Sequence, residues 1–200
     1  MVARVYVEGG GESNHLRTLC RKGFSEFFRK AGLAGRMPRV IASGSRREVY
    51  DDFVTAHRKA EGSVFPVLLV DSETAVSAQS PWDHLMQLDH WDKPQGATDD
   101  HAHLMVQCME AWFVADRHCL ERYFGQGFTL NALAARNDVE NIPKNDLMNG
   151  LRDATRHSLT KGEYEKGRDS FAILERIDPN LVRQASPYAN RLIVVLLKSS

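Results

Sequence analysis

The chain has 200 residues, of which 42% are hydrophobic, and its 26 Lys and Arg residues balance its 26 Asp and Glu residues. These values predict one compact, soluble domain over 1–200, and they exclude a globally basic field that would attract nucleic acid or an anionic membrane. The three cysteines have no C-x-x-C spacing, which disfavours a zinc site or a disulfide framework and indicates a cytoplasmic protein. Because no apolar run is long enough to span a bilayer, we expect no membrane partner.

Strand and helix signals alternate in the first half of the chain. The predicted elements are, in order, a strand over 4–7, a helix stopping at Gly32, a strand over 39–42, a helix capped by Ser43 or Ser45, and a strand over 67–70. Alternation of this kind requires right-handed crossovers between parallel strands. The fold class is therefore predicted to be α/β, with a mainly parallel sheet flanked by helices.

The second half is predicted to become helical. Residues 74–100 predict a loop with one short helix, and 103–113 predict a strand that enters a helix. Further helices are predicted over 146–159, 167–177 and 187–198, the last containing the apolar run 192–197 as a buried element. We therefore expect an α/β core over 1–116 and a mostly helical extension over 117–200 that packs on it.

Acidic residues directly follow two of the predicted strands. Glu8 ends the first strand, and Asp71 and Glu73 follow the third. The carboxyl ends of parallel strands form the edge where α/β proteins bind ligands, and carboxylates are usual ligands of Mg²⁺. These three residues are the predicted ligands of Mg²⁺ or Mn²⁺. Acids at such positions also cap helices or form solvated turns, and that alternative stays open.

A fourth acid, Glu110, is flanked by apolar residues. A buried carboxylate is costly unless it has a partner. Glu110 is therefore predicted either to act as a ligand or general base near the strand-end acids, or to form a structural ion pair in the core.

Basic residues that contact substrate are predicted in the C-terminal half, because phosphate needs positive contacts. Lys166 is the preferred catalytic and phosphate-contacting residue, and Arg168 lies in the same cluster. His15, just after the glycine turn, is a further substrate-binding candidate. The alternatives are a solvated charge run for the lysine and arginine, and simple helix surface for the histidine. Surface solvation is expected for Arg46.

Four motifs carry a resemblance that covers nearly the whole chain. They resemble a bacterial family of small, stand-alone proteins with the Toprim fold, which topoisomerases, primases and overcoming-lysogenization-defect nucleases share. The motifs are Val7-Glu8-Gly9-Gly10-Gly11-Glu12, Leu69-Val70-Asp71-Ser72-Glu73, Met109-Glu110-Ala111-Trp112-Phe113-x-Ala115-Asp116 and Tyr164-x-Lys166.

The resemblance implies a function. In Toprim nucleases the first-strand glutamate and the later acidic motif, here D-x-E where D-x-D is more common, hold divalent metal for phosphodiester chemistry. Members of the small family often sit beside genes for AAA or ABC-type ATPases and are suspected of serving phage defence. The expected function is a Mg²⁺- or Mn²⁺-dependent nuclease that acts on DNA or RNA, as a single chain or a homo-oligomer.

Two alternatives to the nuclease remain open at this point. The first alternative is a non-catalytic or conditionally active partner subunit of an ATPase complex. In that case the aromatic residues around Trp82 and Trp91 would lie at the interface with the ATPase. A small-molecule phosphohydrolase is the third interpretation.

Overall fold

A computed structural model of the protein describes residues 2–60 and 62–199. These residues form a four-stranded, all-parallel sheet in the order β2-β1-β3-β4. The strands are β1 (Val2–Gly10), β2 (Arg39–Gly44), β3 (Val64–Asp71) and β4 (Ala102–Met105). The predicted α/β class is confirmed, and the strand signals at 4–7, 39–42 and 67–70 each fall inside an observed strand.

Helices follow the strands and continue to the C-terminal region. They are α1 (Asn14–Phe28), α2 (Arg46–Arg58), α3 (Pro81–Asp89), α4 (Glu110–Ala115), α5 (Arg117–Phe124), α6 (Lys144–Thr155), α7 (Ser170–Leu174), α8 (Pro179–Ala185) and α9 (Pro187–Lys198). The helical C-terminal part is thus confirmed, although α5 and α8 have no counterpart among the predicted elements. None of the described helices has the length and apolar character needed to cross a membrane.

The sheet is buried on both faces, as expected for parallel strands covered by helices. Alternate residues of β1 and β3 enter two different apolar clusters, because successive side chains point to opposite sides. Val5 and Val7 join the cluster formed with α1 and the C-terminal helices. Tyr6 joins the smaller cluster formed with α2 and α3. The larger cluster draws residues from both halves of the chain, including Phe24 and Leu192.

Local hydrogen bonds explain where α2 and α5 begin. The Ser45 side chain accepts the backbone N–H of Glu48, whose carboxylate accepts the backbone N–H of Ser45 in return. This capping box shows that Ser45, and not Ser43, is the residue that caps α2. Asp116 caps α5 through a single contact, in which its side chain accepts the backbone N–H of Cys119 at 3.0 Å. α2 thus begins directly after the carboxyl end of β2, whereas α5 begins directly after α4.

The aromatic residues expected at an interface lie in the core instead. Trp82 and Trp91 are each 3% exposed and belong to the α2–α3 cluster. The Trp82 indole N–H donates to the Thr98 carbonyl at 2.9 Å, and the Trp91 ring stacks on Tyr50 with 4.5 Å between centroids. An interface role for these two tryptophans is therefore wrong, because the loop around α3 folds back over α2 and buries them.

Candidate functional site

A cavity of about 270 Å³ opens at the carboxyl edge of the sheet, beside the ends of β1 and β3. Glu8 and Asp71 line it together, and Lys166 reaches it from the C-terminal half of the chain. The structure thus brings together three of the residues predicted from sequence. The remaining wall is largely apolar or glycine, which leaves these charged groups as the main polar features of the cavity.

The end of β1 is shaped to place Glu8 at this cavity. The pairing with β2 becomes irregular here, so that Glu8, Gly9 and Gly10 all lie opposite Gly44. A bulge bends a strand and re-aims its side chains. Gly10 is required because its φ is +84° and a Cβ atom would lie 2.7 Å from the backbone of Arg17.

Asp71 is the last residue of β3, and its side chain is only 9% exposed. Its Oδ1 atom accepts the backbone N–H of Met109 at 2.9 Å, which ties it to the start of α4. Burial, followed by the nearby Glu110 carboxylate, raises the pKa of Asp71 to about 7. Burial also raises the pKa of Glu8, against the opposing charge of Arg46. Both carboxyl groups therefore bind a proton more tightly than they would in water.

Glu110 is fully buried as the first residue of α4. Its Oε1 atom accepts the Tyr164 hydroxyl at 2.9 Å, and the same hydroxyl lies 2.8 Å from the Ser170 oxygen. Its Oε2 atom is buried without a hydrogen-bond partner among the described residues. The Cys108 thiol lies beside this carboxylate, and burial and then the Glu110 charge raise the pKa of that thiol. The Tyr164 hydroxyl and the Cys108 thiol therefore offset part of the cost of burying this carboxylate.

Lys166 connects the two buried acids. Its Nζ atom lies 3.8 Å from Glu110 Oε1 and 3.9 Å from Asp71 Oδ2. Burial opposes its charge, but the Glu110 and Asp71 carboxylates outweigh burial and raise the pKa of Lys166. Because 53% of the side chain remains exposed, the ammonium also faces solvent at the cavity. It is placed to meet an incoming anionic group.

Arg46 is a site residue for which surface solvation was expected. Its guanidinium donates to both carboxylate oxygens of Asp89 at 2.8 Å, to Glu8 at 3.1 Å and to the Asp71 backbone carbonyl at 2.8 Å. The expectation is wrong because Asp89, far along the chain at the end of α3, supplies a second carboxylate at this position. The one sequence signal was its place one residue after a serine cap, at the start of a helix leaving the sheet edge.

Glu73 follows a different path from Glu8 and Asp71. It adopts a left-handed φ of 63° and pairs with Lys144, and it does not line the cavity. It remains close enough for its charge to contribute to the raised pKa of Glu8. Ser72 holds this loop by accepting the Gln107 backbone N–H at 2.8 Å. Lys144 carried no functional signal in the sequence.

The other two predicted substrate contacts lie outside the cavity lining. Arg168 donates to the carboxylates of Asp169 and Glu165, so its charge is largely neutralised. His15 is exposed near the start of α1. The Tyr164–Lys166 segment, in contrast, does approach the acids from the C-terminal half as predicted.

The fit of this site to a divalent metal depends on two carboxylates. Among residues 2–60 and 62–199, no group of three or more His, Cys, Asp and Glu side chains is arranged to hold a metal ion. Mg²⁺ needs only one or two carboxylates when water and substrate phosphate complete its shell. Glu8 and Asp71, which line the same cavity, meet that requirement.

Comparison with known proteins gives a family for this chain. A family model described as a domain of unknown function, DUF4276, matches residues 7–197. The chain belongs to this family. No curated protein and no solved structure matches it.

The DUF4276 match contains the whole acidic site. It begins one residue before Glu8 and includes Asp71, Glu110 and Lys166. The cavity is therefore part of the DUF4276 domain, and the helices that carry Glu110 and Ser170 belong to the same domain as the sheet.

Proposed function

We propose that this protein is a Mg²⁺- or Mn²⁺-dependent hydrolase of nucleic-acid phosphodiester bonds. The observation that carries the proposal is the convergence of Glu8 and Asp71, from two neighbouring parallel strands, in one cavity that Lys166 also lines. Two carboxylates on rigid strand ends suit a hard cation, and the ammonium suits the phosphate that the cation binds.

Each residue then has a distinct role. Glu8 and Asp71 would hold the metal, which supplies Lewis-acid stabilisation of phosphate charge and a lowered pKa for bound water. Lys166 would bind the non-bridging phosphate oxygens. Glu110 would position Lys166 through their 3.8 Å ion pair, and Tyr164 would hold Glu110 by its hydrogen bond. Arg46 would orient Glu8.

A Toprim relationship is the finer part of the same proposal. The support is the resemblance of the four motifs, together with the position of the first-strand glutamate and the D-x-E aspartate at the same edge of an all-parallel sheet. A role in phage defence beside an AAA or ABC-type ATPase follows only from that resemblance. Glu73 would join the metal shell only after it separates from Lys144.

Metal titration with parallel cleavage assays tests the proposal. Calorimetry with Mn²⁺ and Mg²⁺ is performed on the wild type, on Glu8→Gln and Asp71→Asn, and on the control Asp51→Asn, which changes an exposed acid of α2. Plasmid DNA and RNA are the substrates, and a panel of small phosphate esters tests the phosphohydrolase alternative. Loss of metal binding and cleavage in the two site variants alone is the expected result. Unchanged Mn²⁺ affinity in both would show that these acids are not ligands.

The runner-up is a conditionally active subunit of an ATPase complex. The observation that favours it is that Glu8, Asp71 and Glu73 each face an internal cation, namely Arg46, Lys166 and Lys144. A partner that moves the loop around Lys144 or Lys166 would release these acids. This candidate predicts metal binding without cleavage in the purified chain, and cleavage after a neighbouring ATPase is added.

A further inference from the structure

A second cavity, of about 410 Å³, lies away from the acidic site. It is bounded by the first half of β1, the edge strand β2 and the C-terminal half of α2. Its charged lining residues are Arg4, Arg39, Lys59 and Asp52, and the side chains of Tyr6 and Ile41 also line it. We call this cavity the basic groove.

The basic groove carries an excess of two positive charges on a chain whose formal net charge is zero. None of its three cations forms a salt bridge or side-chain hydrogen bond with another described residue. Arg46 shows the contrast, because its guanidinium is bonded to two carboxylates and a carbonyl. The cations of the groove are thus free to meet an external anion.

The position of the two arginines makes this arrangement costly for the fold. Arg4 and Arg39 lie directly opposite each other in the register of β1 and β2. Like charges at opposed positions of neighbouring strands repel each other, and Asp52 is the one acid among the described residues that line the groove. An anionic ligand between the two guanidinium groups would relieve this repulsion.

We propose that the basic groove binds phosphate groups. Guanidinium groups bind phosphate through paired N–H donors, and Arg4 and Arg39 are adjacent enough to share one phosphate or to hold two in sequence. Tyr6 and Ile41 offer an apolar surface to the rest of the ligand, and the volume is in the range of small-ligand sites. The phosphate comes from a nucleic-acid backbone or from a mononucleotide.

This site is separate from the acidic cavity, and its existence does not depend on metal binding there. Arg4 precedes Glu8 by four residues on the same strand, a separation of roughly 13 Å at the usual rise per residue. A nucleic-acid strand is long enough to occupy both sites, whereas a mononucleotide occupies the groove alone.

Binding measurements without metal test the groove. A short fluorescein-labelled oligothymidylate is titrated with the full chain in EDTA, so that neither metal binding nor cleavage contributes. The variant Arg4→Gln/Arg39→Gln should weaken binding about tenfold or more and reduce the slope of log affinity against log salt by about 1.4, the value for two phosphate contacts on a single strand. The control Arg122→Gln/Arg152→Gln removes the same charge from two exposed arginines elsewhere and should leave both values unchanged.

A second variant guards against effects on the sheet. Lys59→Gln changes an exposed residue at the end of α2 and should weaken binding in the same direction with unchanged circular dichroism. Calorimetry with AMP and with inorganic phosphate distinguishes the two sources of phosphate. If the double variant loses AMP binding but keeps its oligonucleotide binding, the groove is a mononucleotide site. If no ligand distinguishes wild type and groove variants from the control, the proposal is overturned.

Discussion

The Lys166 ammonium lies 3.8 Å from the carboxylate of Glu110, a residue with no exposed surface. A half-exposed lysine is thus held by an acid that neither substrate nor bulk water reaches. Because the same ammonium lies 3.9 Å from Asp71, it neutralises part of the charge that a metal would otherwise neutralise. A metal bound as proposed would therefore compete with Lys166 for Asp71, whereas Glu110 holds the lysine in place.

Replacing Lys166 with methionine should strengthen metal binding. The change removes a positive charge beside Asp71, and we expect the affinity for Mn²⁺ to rise about tenfold, since such charge interactions are worth on the order of 1 kcal/mol or more. Cleavage should fall, because the phosphate loses its contact. Calorimetry measures the affinity, and Lys161→Met is the control for loss of a nearby exposed lysine. Equal Mn²⁺ affinity in Lys166→Met and in the wild type would show that the charge of Lys166 does not influence the metal site.

The Tyr164 hydroxyl should contribute measurably to stability. Tyr164→Phe removes the hydrogen bond to buried Glu110 and the contact with Ser170, and we expect the free energy of unfolding to fall by about 1–3 kcal/mol. Urea denaturation measures this change. Tyr188→Phe is the matched control, because the Tyr188 hydroxyl has no hydrogen bond to another described residue, and its effect should stay within about 0.5 kcal/mol. Equal losses in both variants would contradict a special role for the Glu110 contact.

The parts of the fold that could be predicted from sequence are those set by local signals. Alternating apolar strands and helical spacing predicted the parallel sheet. Ser43 or Ser45 was predicted to cap α2, and the structure shows that Ser45 does so. Trp82 and Trp91 could not be placed, because their burial depends on how the loop around α3 folds over α2. Patterns along the chain carry no information on such contacts.

The same limit applies to the site. Glu8 and Asp71 were predictable because strand ends in a parallel sheet meet at one edge. Arg46, Asp89 and Lys144 were missed as partners, since each joins the acids from a distant segment and none lies in a motif. The sequence therefore predicted the acids more completely than their counter-charges.

The raised pKa of Asp71 predicts how stability depends on pH in metal-free protein. Its folded-state value of about 7 lies above its ordinary value of 3.8, so the folded state binds the proton more tightly. Stability from this group is fully present below about pH 4 and is lost as pH rises through 7, by up to about 4 kcal/mol. Urea denaturation in EDTA measures the free energy of unfolding against pH. Asp71→Asn should lose the pH dependence of this free energy, whereas the control Asp153→Asn, which changes an exposed acid, should keep it. A wild-type profile matching that of Asp71→Asn would show that Asp71 ionises normally.

Two glycines with the same backbone angle separate the cost of a positive φ from the cost of a close contact. Gly10 and Gly35 both have φ +84°, but a Cβ atom at Gly10 would lie 2.7 Å from the Arg17 backbone, whereas a Cβ atom at Gly35 would meet nothing within 4 Å. Gly35→Ala should therefore cost about 1 kcal/mol from the backbone angle alone. Gly10→Ala should cost on the order of 2 kcal/mol more, because β1 must move away from α1.

That movement would also displace Glu8, which is two residues from Gly10. Mn²⁺ affinity measured by calorimetry should consequently fall in Gly10→Ala and stay at the wild-type value in Gly35→Ala, while urea denaturation reports the two stability losses. If both variants lose the same stability and neither loses metal affinity, the close approach of Gly10 to Arg17 does not position Glu8. The acid would then depend on Arg46 alone for its orientation.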